Sequence, residues 1–260
     1  MAPPFTNADF DAAIAEFQRP LEQTVTDEGW EAAGKVGELQ LFRRSSKADG
    51  YEYMARGELV DVKPDIGHDV FVDLDYRRRW DQYKEDTLRV VEHDLAAKKA
   101  SSDEEADAGC PKALHRIYWQ QQHRWPIQNR DYYLWRESRR QDVDGETTWI
   151  ILTRADTTAN EPEHAGCIRV HDCRQTVVLQ ASPATPFSTS VYVYYREDPR
   201  GTLPTTLFDW ALTKGVPAWM KRFVQACDNY GTGSYEGNIL DGVPELTRVL
   251  DESMKKAFAF

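Results

Sequence analysis

The chain has 260 residues, 41% of them hydrophobic, which suits one large domain or two small ones with a substantial core. Its 43 acidic against 32 basic side chains give a formal net charge of -11, which argues against a nucleic-acid surface and weakens any general attraction to anionic membranes. No apolar run is long enough to cross a bilayer, MAPPFTNADF lacks the features of a signal peptide, and Cys110, Cys167, Cys173 and Cys227 are too scattered for a disulfide scaffold, so a soluble, cytoplasmic protein is expected.

In chain order, Phe10, Ile14 and Phe17 at helical spacing predict a short helix over about 7–19, ended by Pro20. Strands are predicted over 39–44 and 51–60, divided by a turn that ends in Asp49-Gly50. Pro64 opens a helix through Ile66, Val70, Phe71 and Leu74, followed by the dense segment DYRRRWDQY at 75–83. A strand over 87–92 leads into AAKKASSDEEADAGCP, a polar, low-complexity stretch that reads as a disordered loop. From 114 to 196 the aromatic and β-branched residues predict strands over 114–125, 131–139, 147–154, 167–181 and 189–196, with turn signals such as Asp144-Gly145 between them. Short connections imply an antiparallel meander.

The stretch 203–230, LPTTLFDWALTKGVPAWMKRFVQACDNY, predicts a long helix, with Pro204 in its first turn, Gly231 just beyond it and a kink at Gly215 and Pro217. Val216, Trp219, Met220, Phe223, Val224, Ala226 and Cys227 cover roughly 160° of its surface, opposite Lys221, Arg222, Gln225 and Asp228. Trp210 lies on the same helix. A face this wide fits either a core helix on a sheet or a lid over a cavity for an apolar ligand. No repeat of 20 to 50 residues is present, and the fold expected is α+β, a curved antiparallel sheet wrapped around one long C-terminal helix.

YEY at 51–53, DYRRRWDQY at 75–83, IYW at 117–119 with NRDYY at 129–133, and GVP followed by a helix ending in ACDNY resemble the START family of lipid-transfer domains, over about residues 30–230. Residues 1–29 then start the domain, and 231–260 form an extension in which Leu246, Val249, Leu250 and Met254 suggest an amphipathic helix. The resemblance implies a helix-grip fold enclosing a tunnel for one lipid, and non-enzymatic binding and transfer of a phospholipid between membranes by a monomer with no cofactor. A lipid-sensing module acting on a protein partner and a helix-grip hydrolase or cyclase are the alternatives.

The chemistry agrees with a carrier. Exposing the roughly 30 methylene groups of a two-chain phospholipid to water costs on the order of 25 kcal/mol, so an apolar tunnel must replace the bilayer. A phosphate inside such a tunnel needs a charged, forked partner, for which arginine is best suited. By resemblance that partner is Arg77, with Asp81 four residues on as its supporting acid, while Arg78 and Arg79 are surface charges. Phe71 stands where the family has a tyrosine near the phosphate, and Gln175 matches a polar contact to the lipid. The aromatic cage for a quaternary ammonium matches Trp119 and Tyr132, with Tyr195 assigned to the same pocket. Its third aromatic position is Cys173, and a valine near the head group becomes Gln121. An incomplete cage with an added amide leaves phosphatidylcholine and phosphatidylethanolamine both as candidate ligands.

His164, Cys167, His171 and Cys173 are zinc-type ligands, but residues two apart on one strand stand 6 to 7 Å apart along one direction, roughly, and do not converge on an ion. No metal site is therefore expected. No nucleophile elbow, metalloprotease helix or phosphate-cradling loop occurs, and GTGSYEG at 231–237 follows a helix and reads as a linker.

Overall fold

The computed structural model describes residues 4–46, 50–81, 87–93, 113–123, 127–185, 187–201 and 209–232. Two helices, α1 (Asn7–Gln18) and α2 (Leu21–Glu28), precede strands β1 (Glu31–Val36), β2 (Leu39–Ser45) and β3 (Tyr51–Leu59). Helices α3 (Pro64–Val72) and α4 (Leu74–Trp80) follow. Then come β4 (Thr87–His93), β5 (Ala113–Gln121), β6 (Asn129–Val143), β7 (Glu146–Ala155), β8 (Cys167–Arg169), β9 (Cys173–Ala181) and β10 (Thr189–Glu197). A π-helical segment, Ala211–Gly215, runs into the last described helix, α5 (Val216–Thr232).

Among the described residues the strands make one sheet in the order β1-β2-β3-β10-β9-β7-β6-β5-β4, with β8 paired to β6. Every pairing is antiparallel except that of β8, which runs parallel to β6. The β6–β7 turn is the one read from the sequence: Asp144 and Gly145 both have positive φ, 57° and 83°, as a two-residue hairpin requires. Gly57 of β3 is fixed by a close approach, since a Cβ there would lie 2.2 Å from the Glu38 carbonyl oxygen.

Alternation along the strands divides the apolar residues between two faces. Ile150, Leu152, Val178 and Tyr192 pack under α1 with Phe5, Phe10 and Trp30. Ile151, Val177, Leu179 and Val191 face the opposite way, toward α3, α4 and α5, with Val70, Phe71, Trp80 and Phe223. The expected α+β architecture, a curved antiparallel sheet gripping a C-terminal helix, is thus the one found.

Several boundaries differ from the sequence reading. α2 was not expected, because LEQTVTDE carries only Leu21 and Val25 as an apolar stripe. β1 was missed for a similar reason: EAAGKV is an edge strand with no buried residue, so it shows no alternation. The helix expected to run through Leu74 is two helices, because Asp73 leaves helical geometry and its carboxylate caps α4 through the Tyr76 amide at 2.8 Å.

The strand expected over 167–181 is broken at 170–172. Arg169 turns inward to hold Asp131 with two bonds of 2.8 and 2.9 Å, and the Val170 amide bonds the Asp131 carbonyl. β8 is thereby pinned beside β6, and Cys167, His171 and Cys173 do not share one strand face. Residues 124–126, 202–208 and the tail helix expected over 244–258 lie outside the described residues.

Where a kink was expected at Gly215 and Pro217, the chain inserts a π segment just upstream. The Val216 amide bonds the Ala211 carbonyl five residues back, which relieves the clash a proline ring makes with the preceding turn.

Candidate functional site

A cavity of about 320 Å³ lies between the inner sheet face and α5, within the range of small-molecule sites. Its walls are Leu39, Leu41, Tyr53 and Ala55 from β2 and β3, Gln175, Val177 and Leu179 from β9, and Val191, Val193, Tyr195 and Glu197 from β10. Phe71 closes it from α3, and Leu212, Val216, Trp219, Met220 and Phe223 from the last helical stretch. The wide apolar face read from the sequence is therefore a cavity wall along its upstream half. Cys227, one turn below Phe223, is buried against the core instead, and Trp210 packs beside Gly215 and does not line the cavity.

The lid is tied down at its downstream end. The Tyr76 hydroxyl donates to the Ala226 carbonyl at 2.6 Å, and the Tyr230 ring packs on Tyr76 with centroids 4.7 Å apart. Upstream, an exposed Arg43–Asp209 ion pair of 2.8 Å flanks the π segment.

The candidate phosphate and head-group residues that do not line the cavity lie behind its wall, joined to it through Trp219, Tyr195 and Glu197. Arg77 Nε donates to Asp81 Oδ2 at 3.0 Å, and their side chains are only 15% and 8% exposed. The Trp219 indole N–H also donates to that carboxylate, at 3.3 Å, so the ion pair is one side chain from the cavity but not on its wall. Arg77 lies over the Trp119 ring, 5.6 Å from its centre, and Trp119 stacks on Tyr132 at 5.1 Å. Arg78 and Arg79 are exposed, and Arg78 pairs with Asp75.

Behind the aromatic pair is a polar cluster. The Tyr132 hydroxyl is 2.8 Å from Gln121 Oε1 and 3.1 Å from Glu197 Oε2, and the Tyr195 hydroxyl donates to the same Glu197 oxygen at 2.6 Å. Cys173, 4% exposed, pairs with Glu197 across β9 and β10. Burial, reinforced by Glu197, pushes the thiol of Cys173 and the phenols of Tyr132 and Tyr195 well above their usual pKa values, so all three stay protonated. Burial likewise raises the Glu197 carboxyl, partly offset by the bonds from Tyr195 and Tyr132.

Two residues of this region escaped the sequence reading. Glu197 sits in REDPRG, which reads as a solvated turn; only its register against Cys173 carries it inside. Arg136 sits in WRESRR, but it shares a strand face with Tyr132 and Leu134, and that period-two signal was available. Its guanidinium, 5% exposed, bonds Thr153 Oγ1 at 3.2 Å, lies 5.3 Å from the centre of the Phe71 ring and leaves Nη1 without a partner. Burial, with Arg77 nearby, lowers its pKa to about 9.

Among the described residues no group of three or more His, Cys, Asp or Glu side chains is disposed to hold a metal, and no helix is long and apolar enough to cross a membrane. Of the zinc-type ligands, Cys173 faces the Glu197 cluster, Cys167 accepts from Gln120 Nε2 at 3.3 Å and His164 packs against Tyr118.

The START domain profile matches residues 12–233. Rat (Rattus norvegicus) phosphatidylcholine transfer protein is 31% identical over 227 residues, 87% of this chain and 95% of that one. Human StAR-related lipid transfer protein 7, mitochondrial, is 25% identical over 205 residues, 77% of this chain and 50% of that one. The crystal structure of human STARD10 superposes with a TM-score of 0.65 at 17% identity, covering 89% of this chain and 83% of that chain, which supports the fold.

Proposed function

This chain belongs to the START domain family, and from that membership we propose that it binds one phospholipid, with phosphatidylcholine or phosphatidylethanolamine as the ligand, and carries it between membranes. It does so as a cytoplasmic monomer and without covalent chemistry. The observation that carries this reading is the pairing of an apolar cavity under an amphipathic helix with a largely buried arginine and a stacked aromatic pair just behind its wall.

The physical division of labour follows. Acyl chains occupy the cavity walled by Leu39, Val177, Leu179, Val191 and Met220, where burial offsets the cost of leaving the bilayer. The phosphate takes Arg77, which Asp81 holds in place, with Gln175 and Phe71 on the cavity wall nearby. The head group lies against Trp119, Tyr132, Tyr195, Cys173 and Gln121.

Loading requires α5 to lift. The π segment at Ala211–Gly215 is the weak point, because its backbone bonding is already irregular, whereas the Tyr76–Ala226 bond holds the other end. Trp219 must also turn aside, since it stands between the cavity and the ion pair.

The test is transfer of labelled phospholipid from donor to acceptor vesicles by the full chain. Transfer that rises with protein concentration and saturates with one lipid bound per chain is expected. Absence of both binding and transfer for every phospholipid offered overturns the reading.

A further inference from the structure

Glu197 ends β10 and lines the cavity beside Tyr195. It forms no ion pair among the described residues. The positive charge of Arg130 favours the ionised carboxylate from a distance, but the Arg130 guanidinium donates to the carbonyls of Gln128, Pro199 and Arg200, at 2.5 to 3.2 Å, and not to Glu197. A carboxylate on the wall of an apolar cavity is costly unless a cation meets it.

The bonding of the cluster leaves room for one. Tyr195 and Tyr132 both approach Oε2, so Oε1 remains available to accept. The Tyr132 hydroxyl carries a single proton and has two acceptors within reach, Glu197 Oε2 and Gln121 Oε1, so the one it does not serve keeps spare acceptor capacity. The acceptor oxygens of Glu197 and Gln121 therefore outnumber the two tyrosine protons that reach them.

A trimethylammonium group has no N–H and is best held by aromatic faces on several sides. This site offers Trp119 and Tyr132 stacked on each other, with Cys173 contributing a thiol. A primary ammonium has three N–H donors and binds most strongly where charged and neutral acceptors converge. We propose that Glu197, with Gln121 and the Tyr132 oxygen, is the counter-ion site for a primary ammonium head group, so that ethanolamine is preferred to choline. The proposal rests on the phospholipid reading above and adds the residue that sets head-group selectivity. A serine head group, which adds a carboxylate close to Glu197, is disfavoured by the same arrangement.

The experiment offers the full chain vesicles carrying phosphatidylethanolamine, its mono- and dimethyl derivatives, phosphatidylcholine or phosphatidylserine, all with the same acyl chains. Binding is expected to fall with each N–H replaced by methyl, by about tenfold over the series, as for loss of charge-assisted hydrogen bonds. Glu197→Gln should flatten the series, and Tyr195→Phe, which frees the carboxylate from its anchor, should narrow it.

A wild-type chain that takes the choline lipid as well as or better than the ethanolamine lipid overturns the proposal, and so does a Glu197→Gln chain that keeps the full gradient. The wild-type series decides alone if the variants do not fold. Saturable binding of phospholipid without any head-group gradient removes this inference and leaves the function standing, whereas no binding to any member removes both.

Discussion

Replacing Arg77 by methionine separates a structural role from a ligand-binding one. The Arg77–Asp81 pair is 15% and 8% exposed, so removing the guanidinium leaves a buried carboxylate with the Trp219 N–H at 3.3 Å as a remaining donor. Breaking a buried pair in this way costs about 3 to 5 kcal/mol. For a chain of this size the midpoint of thermal unfolding should fall by roughly 6 to 12 °C if about 3 kcal/mol is lost. Arg77→Met with Asp81→Asn removes the carboxylate charge that has lost its guanidinium and should recover most of that loss.

Lipid transfer should behave differently. A charged hydrogen-bond partner of the phosphate contributes about 1.5 to 3 kcal/mol, so phospholipid binding should weaken by roughly 10- to 150-fold in the single and the double variant alike. Arg79→Ala, at an exposed position, should leave both readings within about 0.5 kcal/mol of wild type. Vesicle transfer and thermal melts on the same preparations read the two effects. A double variant that regains stability and also transfers lipid at the wild-type rate refutes Arg77 as the phosphate ligand.

Cys173→Tyr supplies the missing aromatic face and should raise phosphatidylcholine relative to phosphatidylethanolamine by about 0.5 to 2 kcal/mol in a competition assay, at a stability cost of about 1 to 3 kcal/mol for packing a phenol into a buried site; unchanged selectivity places the head group elsewhere. Because the folded carboxyl of Glu197 is raised above the usual value, the folded chain keeps a proton that the unfolded chain releases, and this residue subtracts stability as pH rises through the folded pKa. The lipid-free Glu197→Gln variant should therefore melt above wild type at neutral pH and lose that advantage toward about pH 4, and a gap that is constant with pH contradicts the assignment. Arg136→Met removes a buried guanidinium held by one hydrogen bond and should leave the melting midpoint unchanged or slightly higher, by about 1 kcal/mol at most, whereas a fall of more than a few degrees shows that this charge is well partnered.

How far the sequence reaches depends on the range of the interaction. Local patterns are legible: the α1 stripe, the Asp144-Gly145 hairpin, the alternating strands and the four-residue spacing that pairs Arg77 with Asp81. The wide face of α5 is legible too, and it requires a broad apolar surface beneath it. What escapes depends on pairing between distant segments. β3 lies beside β10, some 140 residues away in order, and nothing local specifies that neighbour. β8 reads as part of a longer strand because the Arg169–Asp131 pair that turns it joins two segments 38 residues apart.

Glu197 belongs to the same class. Its neighbours in the chain are charged and turn-forming, and its burial comes from Tyr195 beside it, Tyr132 on β6 and Cys173 on β9. The resemblance to the START family reaches the residues that match its motifs and passes over this one. Arg136 is an intermediate case, since strand alternation places it on the face of Tyr132, but charge in a run of arginines argues for solvent until the sheet is seen to be covered on that side.

The cavity under α5 is proposed to hold one phospholipid. Mass spectrometry of the intact complex, with the full chain purified without detergent from the cells that make it, measures this directly. A one-to-one complex is expected, whose extracted lipid is a diacyl phospholipid with a cationic head group, and whose yield drops in Arg77→Met with Asp81→Asn. A chain that carries a sterol or a fatty acid in its place, or that carries phospholipid equally well without Arg77, contradicts it.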